Sequence, residues 1–346
     1  MSRMGKGLAL LLLLAGLGII TTVFLLNRAM NARLSLAEGS EVLWVSPGLS
    51  LAGLVRELER REILCCPRAF TLIARISGDA TRIKAGEYLL AVGMTADDLL
   101  QALVQGDVIK HSFTIIEGWT VRELLQALAT EEALEQDMLE NYDSAAESLM
   151  DRFGESGLHA EGQFLPETYQ FVRGERVSDV LRRAHVDLLE QLEQAWQGRE
   201  SGLPFDTSYE ALVLASIVEK ETALAAERPV IAGVFVRRLQ HRMRLQTDPT
   251  VIYGLGPKFD GNLTRQHLDT DTPYNTYTRA GLPPTPIALP GARAIAAVMH
   301  PEPGNALYFV ATGAGDGGHH FSATLEEHNQ AVQDYLRQLR QNRNNP

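Results

Sequence analysis

The 346-residue chain, 45% hydrophobic and 22% charged, has the composition of an ordinary globular protein with room for a sizeable core, which excludes a disordered or fibrous class. Its net charge of −11 excludes the basic footprint that a nucleic-acid-binding surface needs. With two cysteines, neither a disulfide framework nor a cysteine metal cage is available.

The first element in chain order is GLALLLLLAGLGIITTVFLL, Gly7 to Leu26, a run without a charged residue and of the length a bilayer core requires. Arg3 and Lys6 precede it and Arg28 and Arg33 follow, a slight positive-inside bias. A signal peptide would have a shorter apolar region and a small-x-small cleavage site, which is missing directly after the run. The expectation is a retained single-pass anchor: a cytoplasmic tip (1–6), a transmembrane helix (7–26), a polar tether (27–39), and the bulk of the chain in the periplasm of an inner (plasma) membrane.

An internal echo organises the next hundred residues. PGLSLAGLVREL (47–58), VGMTADDLLQAL (92–103) and EGWTVRELLQAL (117–128) align on Gly48, Gly93 and Gly118, then on Ser50, Thr95 and Thr120, then on leucines four apart. Each reads as a glycine turn and a hydroxyl N-cap opening a helix, and Glu123 completes a capping box. Strand-like runs accompany them: EVLWVS (41–46), AGEYLLAV (85–92) and HSFTIIE (111–117). Such units recur in many α+β domains. The Gly-x-Thr turn into a helix also resembles the LysM-type peptidoglycan-binding fold, which implies a small βααβ module over 40–108. Between its helices lie Cys65 and Cys66, read as two buried small apolar side chains because neighbouring cysteines bond only through a strained ring.

Residues 120–160 are acidic and read as helical, a solvated face, while 176–199 is a long amphipathic helix ending at Gly198. ALVLASIVEKETAL (211–224) is a helix whose apolar run is interrupted by Glu219, Lys220 and Glu221. At about 100° per residue the two glutamates point in opposite directions. Glu221 shares a side with Leu214, Ile217 and Val218, an aliphatic setting that raises a carboxyl pKa by desolvation, as a general acid for a glycosidic oxygen requires. The bland alternative is a helix end where both glutamates meet solvent.

From 243 to 325 the composition turns to Thr, Pro, Gly and Tyr, suggesting turns and short strands. MRLQTDPTVIYG (243–254) offers Gln246, Thr247 and Asp248 before an apolar strand, and TPYNTYTRAGLPPTPIALPG (272–291) sets Tyr274, Asn275 and Tyr277 beside a stiff Pro/Gly loop. AEGQFLPETYQF (160–171) places Glu161 and Glu167 around Pro166. GGHHFSATLEEHN (317–329) holds His319, His320 and His328 without an HExxH-type spacing, so no metal is assigned, and no phosphate loop or nucleophile elbow is present. TLEEHNQAVQDYLRQLRQ (324–341) closes the chain as a helix before a tail (342–346) expected to be disordered.

IVEKET, RLQTDPTVIYG, YNTYTRAGLPPTPIALPG, LYFVATG and GGHHFSATLEEHN, in this order, resemble the endolytic murein transglycosylase (YceG-like) family over about 40–340. The resemblance implies an α+β fold in which a transmembrane helix and a LysM-like βααβ module precede a mixed α/β catalytic domain (109–341). It implies lytic cleavage of the MurNAc-β-1,4-GlcNAc bond in nascent strands, with 1,6-anhydromuramoyl ends and no cofactor. Glu221, the second Glu of the E-K-E-T motif, would be the catalytic acid and then base. Gln246, Thr247, Asp248, Tyr253, Tyr274, Asn275, Tyr277 and His319 match motif positions that the resemblance implies would line the glycan cleft, with Glu167 placed near it; His320 stands where the family often has Thr, which leaves its role open. Implied partners are peptidoglycan glycan strands and the peptidoglycan synthases (penicillin-binding proteins), with no nucleic acid. The other class of function consistent with the chain is a non-catalytic, membrane-anchored wall-binding protein.

Overall fold

A computed structural model describes residues 3–36, 39–138 and 149–344. The chain is mixed α+β and divides into two compact units, one of Met1–His111 with Gln170–Glu175, the other of Ser112–Tyr169 with Arg176–Pro346.

The first unit opens with α1 (Arg3–Met30), whose stretch Leu10–Met30 is long and apolar enough to cross a membrane. Its leucines and isoleucines are exposed along most of the length, an arrangement that water penalises and a bilayer does not. The helix begins at Arg3, so residues 3–6, ahead of the expected span, are helical as well; residues 1–2 lie outside those described. Strand β1 (Glu41–Val45), helices α2 (Leu51–Arg60) and α3 (Pro67–Ile76) and strand β2 (Gly86–Leu90) follow, with β1 and β2 antiparallel in the register Glu41↔Leu90 to Val45↔Gly86. Alternation along the strands buries Leu43, Val45, Tyr88 and Leu90 against Leu54 and Leu58 of α2. Helix α4 (Ala96–Gln105) completes the layer with Leu99 and Leu103.

The echo is physical. Gly48, Gly93 and Gly118 all take positive φ, 78°, 89° and 80°, the left-handed turn glycine adopts without cost. Ser50, Thr95 and Thr120 then cap α2, α4 and α5 (Val121–Ala129) through their hydroxyls, and both Asp98 and Glu123 close capping boxes.

Two expectations fail in this unit. The segment 27–39 is no free tether. Met30 and Leu34 are buried in the core, Leu34 N–H donates to the Met94 carbonyl at 2.8 Å, and Ala96 N–H to that of Ala32 at 3.1 Å; residues 37–38 lie outside those described. The apolar side chains at the end of α1 and just after it find a partner surface in this unit's core, which composition alone does not reveal. A soluble protein starting at residue 40 should therefore be less stable than one starting at 27 by about 3 kcal/mol or more, the burial of the two side chains, as chemical denaturation would measure. Cys65 and Cys66 are both exposed rather than buried, at the turn into α3, with Sγ atoms 2.9 Å apart.

The second unit is largely helical. It takes in Ser112–Thr114 of strand β3 (His111–Thr114) and Thr168–Tyr169 of strand β4 (Thr168–Phe171), and α5 follows β3. Residues 139–148 of the expected acidic helical stretch lie outside those described, and 149–153 form a 3-10 turn. Helix α6 (Val177–Gln197) ends at Gly198. Helix α7 (Ser208–Glu221) starts with a Thr207–Glu210 capping box and is buried on every residue from Ala211 to Glu219. Around it pack α6, α8 (Arg228–Gln240) and α11 (Ala292–Met299), with α9 (Asp248–Leu255) against its end and α10 (Arg265–Asp269) in the loop beyond. The strand expected after Asp248 is thus a helix: Thr247 stands at its N-cap, Pro249 fits a first turn that needs no N–H, and Asp248 meets the positive end of the dipole. Strands β5 (Tyr308–Ala311) and β6 (His319–Ser322) form an antiparallel hairpin against α12 (Leu325–Asn344), which reaches past the expected start of a disordered tail; residues 345–346 lie outside those described.

Candidate functional site

Glu221 is the last residue of α7, where a helix sheathed in apolar neighbours stops and Thr222 turns into extended backbone. Its side chain is half-buried, and the desolvation that goes with this pushes its pKa up to about 7. The Thr247 hydroxyl donates to Oε1 and pulls in the other direction, the negative charge of Asp248 pushes further up, and His319 pulls down. Removing the hydroxyl in Thr247→Val therefore raises the Glu221 pKa, and a pH–rate profile would show the descending limb at higher pH than in the parent.

Thr247 is held where it can donate. Its N–H donates to Thr276 Oγ1 at 3.1 Å, and Thr250 Oγ1 donates to the Thr247 carbonyl at 2.8 Å. Gln246 sits in the left-handed region at φ 52°, a strained conformation for a side-chain-bearing residue and a feature that clusters at functional sites. Buried Arg238 of α8 fixes the approach by donating to the carbonyls of Arg244 at 3.0 Å and Leu245 at 2.9 Å. Asp248 accepts from the Tyr277 hydroxyl at 2.6 Å, and burial and this aspartate push the Tyr277 phenol well above its ordinary range.

His319, on β6, donates its N–H to Glu227 Oε1 at 2.8 Å, and its Nδ1 lies 2.7 Å from Oε2. Glu227 also accepts from Thr222 Oγ1 at 3.4 Å, so it links the turn after Glu221 to the hairpin. Sequence reasoning missed Glu227. It stands alone in AAER, and its partner is 92 residues away, so only the fold could pair them. His320 points to the other side of the strand and is exposed, and among the described residues no group of three His, Cys, Asp or Glu side chains is placed to hold a metal ion.

Glu219 faces away, as the helical wheel requires. It is buried, its Oε2 accepting from Gly291 N–H at 3.0 Å and its Oε1 from Arg228 at 2.6 Å, and Arg228 also reaches Glu117 at 3.1 Å. Ser216 on the same face accepts from Ile287 N–H at 3.0 Å. Together they grip the proline-rich loop. Burial pushes the Glu219 carboxyl up, against the pull of the Gly291 N–H and Arg228.

The remaining candidates divide. Asn275 is fully buried, its amide donating to the carbonyls of Leu268 at 3.0 Å and Thr270 at 2.7 Å while its Oδ1 accepts from Tyr277 N–H at 2.8 Å. It clamps a loop and does not line a cleft, because every polar atom of the amide is taken up by backbone. Gln246 is exposed, its side-chain oxygen 3.4 Å from Arg238 Nη1. Tyr253 and Tyr274 meet edge-to-face at 4.8 Å and line an open cleft of about 680 Å³. Glu161 lines the same cleft, whereas Glu167 is exposed just before β4 and its carbonyl accepts from Ile115 N–H at 3.0 Å. The structure thus joins Glu221, Thr247, Asp248, Tyr277 and His319 through direct bonds and charge, and leaves Glu167 outside.

Among known proteins the chain is 29% identical over 308 residues to the endolytic murein transglycosylase of Bacillus subtilis, covering 84% of each chain. It is 27% identical over 340 residues to the endolytic murein transglycosylase of Streptococcus pneumoniae, covering 90% of this chain and 59% of that longer protein. The crystal structure of a yceG-like protein from Listeria monocytogenes superposes with a TM-score of 0.53 at 27% identity, over 85% of this chain and 99% of that one. The model of the YceG-like family matches residues 43–334, a stretch that takes in most of both units and every residue of the Glu221 cluster, and the chain belongs to that family.

Proposed function

We propose that the protein is an endolytic peptidoglycan lytic transglycosylase, cleaving the MurNAc-β-1,4-GlcNAc bond of nascent strands and leaving 1,6-anhydromuramoyl ends. The observation that carries this reading is the Glu221 carboxyl, desolvated at the end of a buried helix and held by a single hydroxyl donor. With a pKa near 7 it is substantially protonated at neutral pH, so it can give a proton to the glycosidic oxygen. Deprotonated by that step, the same carboxylate accepts the proton of the muramoyl 6-hydroxyl as its oxygen attacks C1. Bond breaking and ring closure return the proton to Glu221, and no water is consumed. Ordinary glycosidases need a second carboxylate as nucleophile or base; here the nucleophile is the substrate's own hydroxyl. Asp248, which the Tyr277 hydroxyl fixes, adds negative charge beside the acid, and His319 opposes it.

The names of the relatives support the same reading. The exposed apolar helix α1 supports a single-pass anchor in the inner membrane with the N-terminus cytoplasmic, so that the rest of the chain meets newly made glycan in the periplasm. The β1-α2-α3-β2 order supports a LysM-like wall-binding module over about 40–108, ahead of a catalytic region over 109–341. Peptidoglycan synthases are the partners this placement favours.

The test is product analysis. Full-length protein in detergent, given uncrosslinked glycan strands, should yield fragments whose mass shows anhydro ends. Reducing ends in their place mean hydrolysis and overturn the lytic assignment, and binding without cleavage means a wall-binding protein.

A further inference from the structure

Glu161 is a buried carboxyl that the chemistry at Glu221 does not use. Its Oε1 accepts from Val121 N–H at the start of α5 at 2.9 Å, and its Oε2 from the Tyr253 hydroxyl at 3.1 Å. The neighbouring Gly162 is left-handed, with φ 78°, and so close to Pro286 that a Cβ there would stand 2.5 Å from its ring, so the turn carrying Glu161 is fixed against the proline-rich loop. Tyr253 in turn packs edge-to-face on Tyr274 at 4.8 Å and 64°, and the Tyr274 hydroxyl is 2.9 Å from Thr285 Oγ1.

Both phenol hydroxyls are therefore engaged by protein groups. What the two tyrosines have left to offer the cleft is ring surface, with Arg122, His159, Lys220 and Glu123 also lining it. An aromatic wall among polar groups matches a pyranose, whose axial C–H bonds make an apolar face and whose hydroxyl and amide substituents project from the edge. We propose that the cleft formed by Tyr253, Tyr274 and Glu161 is a sugar-stacking subsite for an N-acetylhexosamine ring of the strand other than the one protonated at Glu221, and that Glu161 is the positioning residue that locks Tyr253 in the stacking orientation. The assignment rests on the reading of the chain as an enzyme acting on glycan strands.

The experiment measures binding of uncrosslinked glycan strands to full-length protein in detergent, in a Glu221→Gln background that removes turnover. Losing the platform in Tyr253→Leu weakens Kd by about tenfold, the scale of one aromatic contact. Glu161→Ala does the same, and Glu161→Gln, which keeps an acceptor for Val121 N–H and a polar partner for the Tyr253 hydroxyl, restores binding to near the parent value. In otherwise native enzyme Tyr253→Leu and Glu161→Ala raise KM more than they lower kcat, as loss of an interaction common to ground and transition states requires. Unchanged Kd in Tyr253→Leu at unchanged Tm overturns the subsite, and so does a fall in kcat alone. Equal loss in Glu161→Gln and Glu161→Ala overturns the positioning role. Tyr253→Leu leaves the Glu161 bond to α5 in place, so it decides the question even where Glu161→Ala unfolds. Anhydro ends still formed by Glu221→Gln would instead overturn the assignment of the acid, and the Kd series would still stand or fall on its own.

Discussion

Glu221→Gln lowers kcat for anhydro-end formation by about 10²–10⁴-fold, the contribution of a positioned general acid, and leaves the fold intact. The amide keeps the shape of the side chain and can still accept from Thr247, but it has no proton to give to a glycosidic oxygen. The pH dependence supplies an independent check. Burial raises the Glu221 pKa to about 7, so the acid form is present below that value and the rate falls as pH rises through it. Asp248→Asn removes a negative charge that holds the pKa up, so the descending limb moves to lower pH. His319→Gln removes a contribution that holds it down, so the limb moves to higher pH. Glu161 also has a pKa pushed up to about 7 by burial, and these opposed shifts assign the limb to Glu221. Activity that survives in Glu221→Gln and is lost in Glu219→Gln would show that the other carboxylate is the acid.

Arg228→Met destabilises the protein by about 3–5 kcal/mol, the cost of leaving a buried charge without its partner. Arg228 and Glu219 are both buried, the guanidinium lies 2.6 Å from one carboxylate oxygen, and Gly291 N–H holds the other. Without the arginine the Glu219 pKa rises further, because one of the groups that pulls it down is gone. A carboxyl raised in the folded state costs stability above its unfolded pKa and costs nothing once both states are protonated. The deficit measured by denaturant titration should therefore be largest near neutral pH and shrink toward acid pH. A deficit that is flat with pH, or below about 1 kcal/mol, the worth of an exposed pair, would show that the pair is not buried as described. Because Glu219 and Ser216 grip the loop at Ile287 and Gly291, this variant should also loosen the proline-rich segment beside the cleft.

The sequence marks some of these features through rules of short range. The three caps at Ser50, Thr95 and Thr120 are legible because a glycine turn and a hydroxyl, joined at Thr95 and Thr120 by an acid three residues on, act within one helical turn. The opposed directions of Glu219 and Glu221 follow from helix periodicity, and the apolar setting of Glu221 from its neighbours in the same run. Even a local signal misleads where two structures share it: the apolar residues after Asp248 fit a strand, but Thr247 and Pro249 start a helix, and Asn275 looks like a hydrogen-bonding surface residue until its amide is found closing a buried loop.

What the sequence by itself determined is therefore the apolar first helix, the capped helices of the echo, the family motifs and the candidate acid, all properties of residues within a few positions of one another. Tertiary structure alone decided what surrounds that acid. Thr247 meets Glu221 across 26 residues, Arg228 joins Glu219 to Glu117 across 111, and Glu227 holds His319 across 92. Desolvation, which raises the Glu221 pKa, is likewise a property of everything packed around the end of α7. These are pairings and exclusions of water among distant segments, and no local pattern encodes which distant segment arrives.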